Sequence, residues 1–80
     1  MTALERVRRM AADIFRVDLG QVTPESSPEQ VETWDSLHHL QLVLALEEAF
    51  GLSFEPEEVE RMKTIAETAG LVEAKLGENR

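Results

Sequence analysis

The chain contains no cysteine, and only 5% of its 80 residues are aromatic. The lack of cysteine excludes disulfides, thiolate metal sites and a catalytic thiolate. It also fits a reducing compartment, so we expect a cytoplasmic protein. A chain of this length predicts a single domain, residues 1–80, which buries a modest apolar area and has little room for a catalytic pocket. Its stability therefore has to come from the packing of secondary structure.

Long apolar runs are also missing. No stretch approaches the roughly 20 apolar residues of a membrane-spanning helix, so no membrane association is expected. The amphipathic, arginine-rich segment from Ala3 to Val17 has features of a mitochondrial presequence. It also contains Glu5 and Asp13 and supplies apolar residues that a small core needs. We interpret it as the first helix of the fold.

Basic residues are absent from the middle of the chain. The net charge is −8, and every charged side chain from Glu25 to Glu60 is acidic apart from two histidines. Nucleic acid is not an expected partner, because its phosphates require basic patches. Proteins with basic surfaces are expected partners of a monomer, steered by charge. The alternative is that these acids serve only solubility.

Apolar residues recur at helical spacing and no segment alternates as a strand does, which predicts an all-α fold. Glycines at positions 20, 51 and 77 are the expected helix ends, and Pro56 fits the first turn of a short helix. Thr2 and Thr64 begin capping-box patterns. The prediction is a small four-helix bundle: helix I about 3–18, a long loop 19–35 anchored by Leu19, Val22, Val31 and Trp34, helix II about 36–50, helix III about 56–62 and helix IV about 65–76.

The start of helix II is the strongest candidate site. Ser36 follows Asp35 at the point where the long apolar helix begins. The first N–H groups of a helix lack intrahelical partners and leave that end partly positive. A phosphodiester carried by the Ser36 hydroxyl would lie in this favourable field. Asp35 is expected to cap the helix or to contact a modifying enzyme.

The segment Asp35-Ser36-Leu37, followed by Leu42-Val43-x-Ala45-Leu46-Glu47-Glu48-x-Phe50, resembles the acyl carrier protein family. The resemblance extends from about Leu4 to Leu76. It implies the carrier fold and a 4′-phosphopantetheine group from coenzyme A on Ser36, next to Asp35 and Leu37. Ser36 is then a substrate and not a catalyst, so the protein is not expected to be an enzyme. The arm's thiol would hold acyl groups as thioesters for a fatty acid, polyketide or related pathway.

The resemblance also implies partners. They are a phosphopantetheinyl transferase and the acyltransferases, synthases or ligases of the pathway, each with a basic docking surface. Helix II carries a second apolar stripe that either packs on neighbouring helices or stays exposed for docking. The predicted partner-binding residues are Leu37, Leu40, Gln41, Leu44, Glu47, Glu48, Glu57 and Glu58.

The other stripe of helix II is the predicted core face. It either simply packs or parts to admit an acyl chain, since an apolar ligand can replace apolar neighbours. The residues predicted to line such a site are Leu42, Val43, Leu46 and Phe50 of helix II, together with Phe54, Met62, Ile65, Ala69 and Val72 from the rest of the core.

Three other interpretations are weaker. Asp35, Ser36 and His39 have the residue types of a hydrolase triad, but the acid is the serine's neighbour and no oxyanion hole is visible. His38 and His39 are adjacent, so they point about 100° apart and do not share a metal. We expect His38 to be exposed and His39 to bond the long loop or lie near the arm.

An unmodified helical interaction or scaffold domain is the remaining alternative.

The chain differs from the motif of fatty acid synthase carriers at two positions. Fatty acid synthase carriers usually read D-S-L-D-x-x-E, whereas this chain has His38 and Gln41 at the two acidic positions. Trp34 before the motif and His39-Leu40 after it are more similar to specialised standalone or modular carriers. A dedicated pathway is therefore favoured over central fatty acid synthesis.

Overall fold

The computed structural model of the chain describes residues 2–78, which form four α-helices and one short 3-10 turn. No strand occurs within this part of the chain, so the predicted all-α, four-helix fold is confirmed. None of its helices has the length and apolar character that a membrane crossing requires. The elements are α1 (Ala3–Phe15), the 3-10 turn (Leu19–Gln21), α2 (Ser36–Phe50), α3 (Pro56–Glu60) and α4 (Ile65–Glu78).

Helix α1 ends three residues earlier than the sequence predicts. Arg16 adopts the left-handed conformation, with φ 57° and ψ 48°, and its N–H donates to the carbonyl of Ala12. The N–H of Val17 bonds the same carbonyl at 3.1 Å. These bonds close the helix at Phe15, so Gly20 is not its stop and lies instead within the 3-10 turn.

Two other predicted ends also differ. Helix α3 stops at Glu60 and not at Met62, because the N–H of Arg61 turns back to the carbonyls of Glu58 and Val59. Helix α4 passes through Gly77, the predicted stop, because that residue does not take a positive φ.

The remaining helix ends form as the sequence predicts. The Thr2 hydroxyl accepts the N–H of Glu5 at 3.1 Å, and the Thr64 hydroxyl accepts the N–H of Glu67 at 3.1 Å. Gly51 takes the left-handed conformation, with φ 66°, and ends α2. These side-chain and glycine caps satisfy backbone groups that a helix leaves unpaired at its ends.

The core lies between α1, α2 and α4. Helix α1 packs against both α2 and α4, and its C-terminal end reaches the loop that leads into α2. Each helix contributes a stripe of buried side chains at helical spacing. They include Val7, Ala11 and Phe15 from α1, Leu42 and Leu46 from α2, and Ile65, Ala69 and Val72 from α4.

The loop between α1 and α2 is held by its own side chains. Val22, Val31 and Trp34 are buried anchors, as predicted. Leu19 is not an anchor, because its side chain remains 39% exposed on the 3-10 turn. The turn instead presents the backbone carbonyl of Leu19 to α1, where a guanidinium nitrogen of Arg8 donates to it at 3.2 Å. Nε of Arg8 also donates to the carbonyl of Val22, the residue after the turn, at 2.7 Å.

The same loop also fixes the beginning of α4. The N–H of Ile65 donates to the carbonyl of Ser26 at 3.1 Å, and the N–H of Ala66 donates to the carbonyl of Pro24 at 2.9 Å. These bonds use the first donors of α4, which have no partner inside the helix. The long loop is therefore an ordered part of the bundle, and it brings its residues beside α3 and α4.

Gly70 offers a test of helix α4. It lies on the exposed face, and a Cβ added there would meet nothing within 4 Å. We expect Gly70→Ala to raise the free energy of unfolding by about 0.5–1 kcal/mol, because alanine loses less backbone entropy in a helix. Gly51→Ala is the matched control and should lower it, since φ is 66° there. Urea denaturation would measure both, and a destabilised Gly70→Ala variant would contradict the prediction.

Candidate functional site

Asp35 caps the N-terminus of α2. Its backbone is extended, and its carboxylate accepts the N–H of His38 at 2.9 Å. Nδ1 of the His38 ring donates to the same oxygen at 2.7 Å. The backbone N–H and then the ring hold the pKa of the Asp35 carboxyl below its usual value. Asp35 is therefore a helix cap. His38 is half-buried against it, so the prediction that His38 is exposed is wrong.

Ser36 is the first residue of α2 and is exposed to solvent. Its hydroxyl lies at the positive end of a helix of 15 residues. A phosphodiester at this oxygen would be stabilised by that end of the helix. The residues at this point fit a covalently attached phosphate group.

His39 connects three segments around Ser36. The indole Nε1–H of Trp34 donates to Nδ1 of His39 at 2.8 Å. Because Nδ1 accepts, Nε2 carries the ring proton and donates to the carbonyl of Val59 at 3.1 Å. The prediction that His39 bonds the long loop is confirmed, and α3 is its additional partner. Trp34 is 3% exposed and stacks on Phe15 at 5.0 Å between ring centroids, as a packing residue should.

An open cleft of about 740 Å³ lies beside Ser36. Its walls come from the long loop, the start of α2, and the segment from α3 to the start of α4. Apolar side chains cover most of the surface, and charged groups line it as well. The residues that line the cleft include Pro28, Trp34, Ser36, His39, Val59 and Met62, with Glu29, Asp35, Glu60 and Lys63 as the charged groups.

The second apolar stripe of α2 is exposed. Leu37, Leu40 and Leu44 are 61%, 54% and 64% exposed, although each is a large hydrophobic residue. Gln41 and Glu48 are exposed on the same helix. The structure therefore places an exposed apolar strip on α2 next to Ser36, with the acidic Glu48 on the same helix, and exposed apolar surface of this kind is typical of transient protein interfaces.

Two of the acids predicted for partner binding have structural contacts. The carboxylate of Glu47 accepts the N–H of Phe54 at 2.8 Å and so fixes the segment after α2. The carboxylate of Glu58 lies 2.7 Å from Nζ of Lys75, an ion pair between α3 and α4. Lys75 and the N–H of Glu55 hold the pKa of Glu58 below its usual value. Glu48 and Glu57 remain exposed.

The residues predicted for an acyl chain form the packed interior. Phe50 and Phe54 are half-buried, and Arg6 lies over the Phe50 ring at 4.2 Å. The others are buried: Leu42, Val43, Leu46, Met62, Ile65, Ala69 and Val72.

The geometry gives no support to a hydrolase. The carboxylate of Asp35 contacts His38, while both ring nitrogens of His39 bond Trp34 and Val59. Within residues 2–78, no group of three or more His, Cys, Asp or Glu side chains could hold a metal ion.

Sequence reasoning missed the cleft and the contact of His39 with Val59, although it predicted that His39 bonds the long loop. The signal that was available is the pair Trp34 and His39, five residues apart across a helix start. The carbonyl of Val59 lies 20 residues further along the chain, and no local pattern points to it.

Comparison with known proteins places the chain in a family. Residues 5–72 match the family described as "Phosphopantetheine attachment site". An acyl carrier protein of Thermosynechococcus vestitus is 37% identical over 73 residues, which cover 91% of this chain and 90% of the relative. An acyl carrier protein of Rubrobacter xylanophilus is 38% identical over 69 residues, covering 86% and 85% of the two chains.

A solved structure agrees with the sequence comparisons. The solution NMR structure of a holo acyl carrier protein from Geobacter metallireducens superposes with a TM-score of 0.86 at 29% identity. The match covers 99% of this chain and 91% of that one. Proteins of this kind are carriers and not catalysts, and they work with a phosphopantetheinyl transferase and with pathway enzymes. The chain belongs to the acyl carrier protein family, and it is an acyl carrier with covalently attached 4′-phosphopantetheine.

Proposed function

We propose that Ser36 is the attachment site and that the protein moves thioester-bound acyl groups through a dedicated biosynthetic pathway. The observation that supports this most strongly is the exposed Ser36 hydroxyl at the capped first turn of α2. This position lies inside the segment that matches the phosphopantetheine-attachment family. When bound, the prosthetic group supplies a thiol, which a chain without cysteine lacks.

The Ser36 hydroxyl acts as the nucleophile in its own modification. Its oxygen forms a bond to the phosphorus of coenzyme A that carries the pantetheine, and its proton passes to a base of the transferase. The pyrophosphate bond breaks, and adenosine 3′,5′-bisphosphate leaves. Asp35 keeps α2 capped, so the hydroxyl stays at a fixed place on the surface.

The test is the intact mass of the protein after incubation with coenzyme A and a broad-specificity transferase. We expect a gain of one phosphopantetheinyl group, located on the peptide that contains Ser36. An unchanged mass, or a gain located on a peptide without Ser36, would overturn Ser36 as the attachment site.

We further propose that Leu37, Leu40 and Leu44 dock partner enzymes, with Gln41 and Glu48 of the same helix and Glu57 of α3 as further contacts. Their exposure beside Ser36 supports this role. Glu47 and Glu58 contribute to the negative field, but their main contacts are structural. Long-range attraction steers a basic partner to this face, and the apolar strip then makes close contact.

Charge reversal at Glu48 tests this surface. We expect Glu48→Lys to slow association with the transferase about threefold, because a rim charge acts mainly on the rate of encounter. Glu73→Lys, at an exposed position of α4, is the matched control with the same charge change. Stopped-flow binding at two salt concentrations measures the rate, and salt should slow the wild type. Equal effects of the two variants would limit the role of Glu48 to solubility.

The dedicated pathway rests on the start of α2. Gln41 is exposed where fatty acid synthase carriers usually have an acid, so a general fatty-acid malonyltransferase loses one surface contact. We expect slow malonyl loading and a gain of about 1.5- to 5-fold in Gln41→Glu, since one surface ion pair contributes about 0.2–1 kcal/mol. The control is Gln41→Ala. Wild-type loading as fast as an ordinary fatty acid carrier would assign the protein to central lipid synthesis.

A further inference from the structure

Lys63 brings a positive charge to the cleft beside Ser36. Of the described residues that line this cleft, it alone is a lysine or arginine. It lies in the short segment between α3 and α4, and its side chain is exposed. Its ammonium is a point charge on a flexible four-carbon stem, so it can turn towards an anion. Lys63 therefore presents a cation to the space that a group on Ser36 would enter.

The backbone at Lys63 is held on both sides. Its N–H donates to the carbonyl of Arg61 at 2.9 Å, and the preceding Met62 is buried. Two residues further on, the N–H of Ile65 donates to the carbonyl of Ser26 at 3.1 Å. Because the chain is fixed here, only the side chain of Lys63 loses freedom when it contacts an anion.

The carboxylates of the cleft do not hold this cation. Among the side chains of residues 2–77, none forms an ion pair with Lys63. The Asp35 carboxylate instead accepts the backbone N–H and the ring of His38. Glu29 and Glu60 are exposed, and an exposed pair gains little because it has to order two long side chains.

A phosphodiester on Ser36 is a better partner for Lys63 than these carboxylates are. Ser36 begins α2, so the phosphate would be held at a fixed point and the pairing would be intramolecular. Apolar side chains of Trp34 and Val59 line the cleft and exclude some water, which strengthens the attraction between charges. The phosphate also adds a negative charge to a cleft that already has three carboxylates, and Lys63 offsets it.

We propose that the Lys63 ammonium pairs with the phosphodiester that joins the arm to Ser36. The proposal rests on the attachment of that arm to Ser36. Lys63 binds the base of the arm and takes no part in its transfer. By this contact, the segment between α3 and α4 sets the direction in which the arm leaves the first turn of α2.

Arg61 provides a control with the same charge. It is exposed and lies two residues from Lys63, but it lines no part of the cleft. Arg61→Gln therefore removes one positive charge from the same segment and leaves the cleft unchanged. Any effect of net charge alone should appear in both Arg61→Gln and Lys63→Gln.

The test is a thermodynamic cycle between modification and charge. The unmodified and phosphopantetheinylated forms of the wild type, Lys63→Gln and Arg61→Gln are prepared, and the mass of the Ser36 peptide verifies attachment. Urea denaturation gives the equilibrium constant of unfolding of each form, and the cycle isolates the pairwise interaction. We expect the arm to stabilise the wild type about 1.5- to 5-fold more than Lys63→Gln, the range of one surface ion pair. Arg61→Gln should behave like the wild type.

Two further measurements identify the contact as ionic. Lys63→Arg keeps the charge and should retain the extra stabilisation, and about 1 M salt should weaken it in the wild type. The ³¹P resonance of the phosphodiester should move in Lys63→Gln relative to the wild type and stay in place in Arg61→Gln.

The outcomes separate this contact from the attachment itself. Equal stabilisation of the wild type and Lys63→Gln by the arm would overturn the contact, and so would equal effects of Lys63→Gln and Arg61→Gln. A ³¹P resonance that Lys63→Gln leaves in place would also overturn it. Each of these results leaves Ser36 as the attachment site, whereas a protein that gains no mass on Ser36 would overturn both proposals.

Discussion

Replacing Ser36 with alanine is expected to abolish phosphopantetheine incorporation completely. The hydroxyl oxygen is the atom that bonds the phosphorus, and alanine has none. The fold should be unaffected, because Ser36 is exposed and Asp35, not Ser36, supplies the cap of α2. The measurement is intact mass after incubation with coenzyme A and transferase, together with helicity from circular dichroism.

The controls for this experiment come from the other serines near the site. Ser26 is buried, and its hydroxyl accepts the N–H of Thr23 at 2.9 Å, so it is not accessible. Ser27 lines the cleft and is half-buried, which makes Ser27→Ala the better matched control. We expect Ser27→Ala to be modified like the wild type. Modification that persists in Ser36→Ala would move the attachment site elsewhere.

The position of Ser36 could be predicted because its causes are local. Asp35 caps the helix through an atom three residues away, and Gly51 ends the helix through its own backbone conformation. The apolar stripes of α2 follow from helical spacing, so the exposure of Leu37 and Leu40 could be considered from the sequence as one of two alternatives. Each of these features depends on residues that are close in sequence.

The features that the sequence did not reveal depend on distant contacts or on atypical residues. Arg16 ends α1 in a left-handed conformation that usually costs a non-glycine residue about 1–2 kcal/mol. Arginine is therefore not a residue type that indicates a helix end. Glu47 and Glu48 look equivalent in sequence. They differ because the N–H of Phe54 approaches only Glu47, an outcome set by the path of the chain after α2.

Replacing Trp34 with alanine is expected to lower the free energy of unfolding by about 3–5 kcal/mol. The indole is 3% exposed and stacks on Phe15, so its removal leaves a cavity against α1. It also leaves Nδ1 of His39 without its donor. Because small domains are stable by only about 5–15 kcal/mol, this single change should remove much of the total.

Trp34→Phe separates the two effects. It retains an aromatic ring for Phe15 but has no N–H for His39, and we expect a loss of about 1–3 kcal/mol, the usual penalty for an unpaired polar group. Leu40→Ala is the control for an exposed apolar side chain and should change stability by less than about 0.5 kcal/mol. Urea denaturation followed by circular dichroism measures all three variants, since two of them lack the only tryptophan. A loss below about 1 kcal/mol in Trp34→Ala would mean that the backbone bonds of the loop hold it in place without the indole. A loss of the expected size would identify Trp34 as the side chain that fixes the long loop, and with it one wall of the cleft beside Ser36.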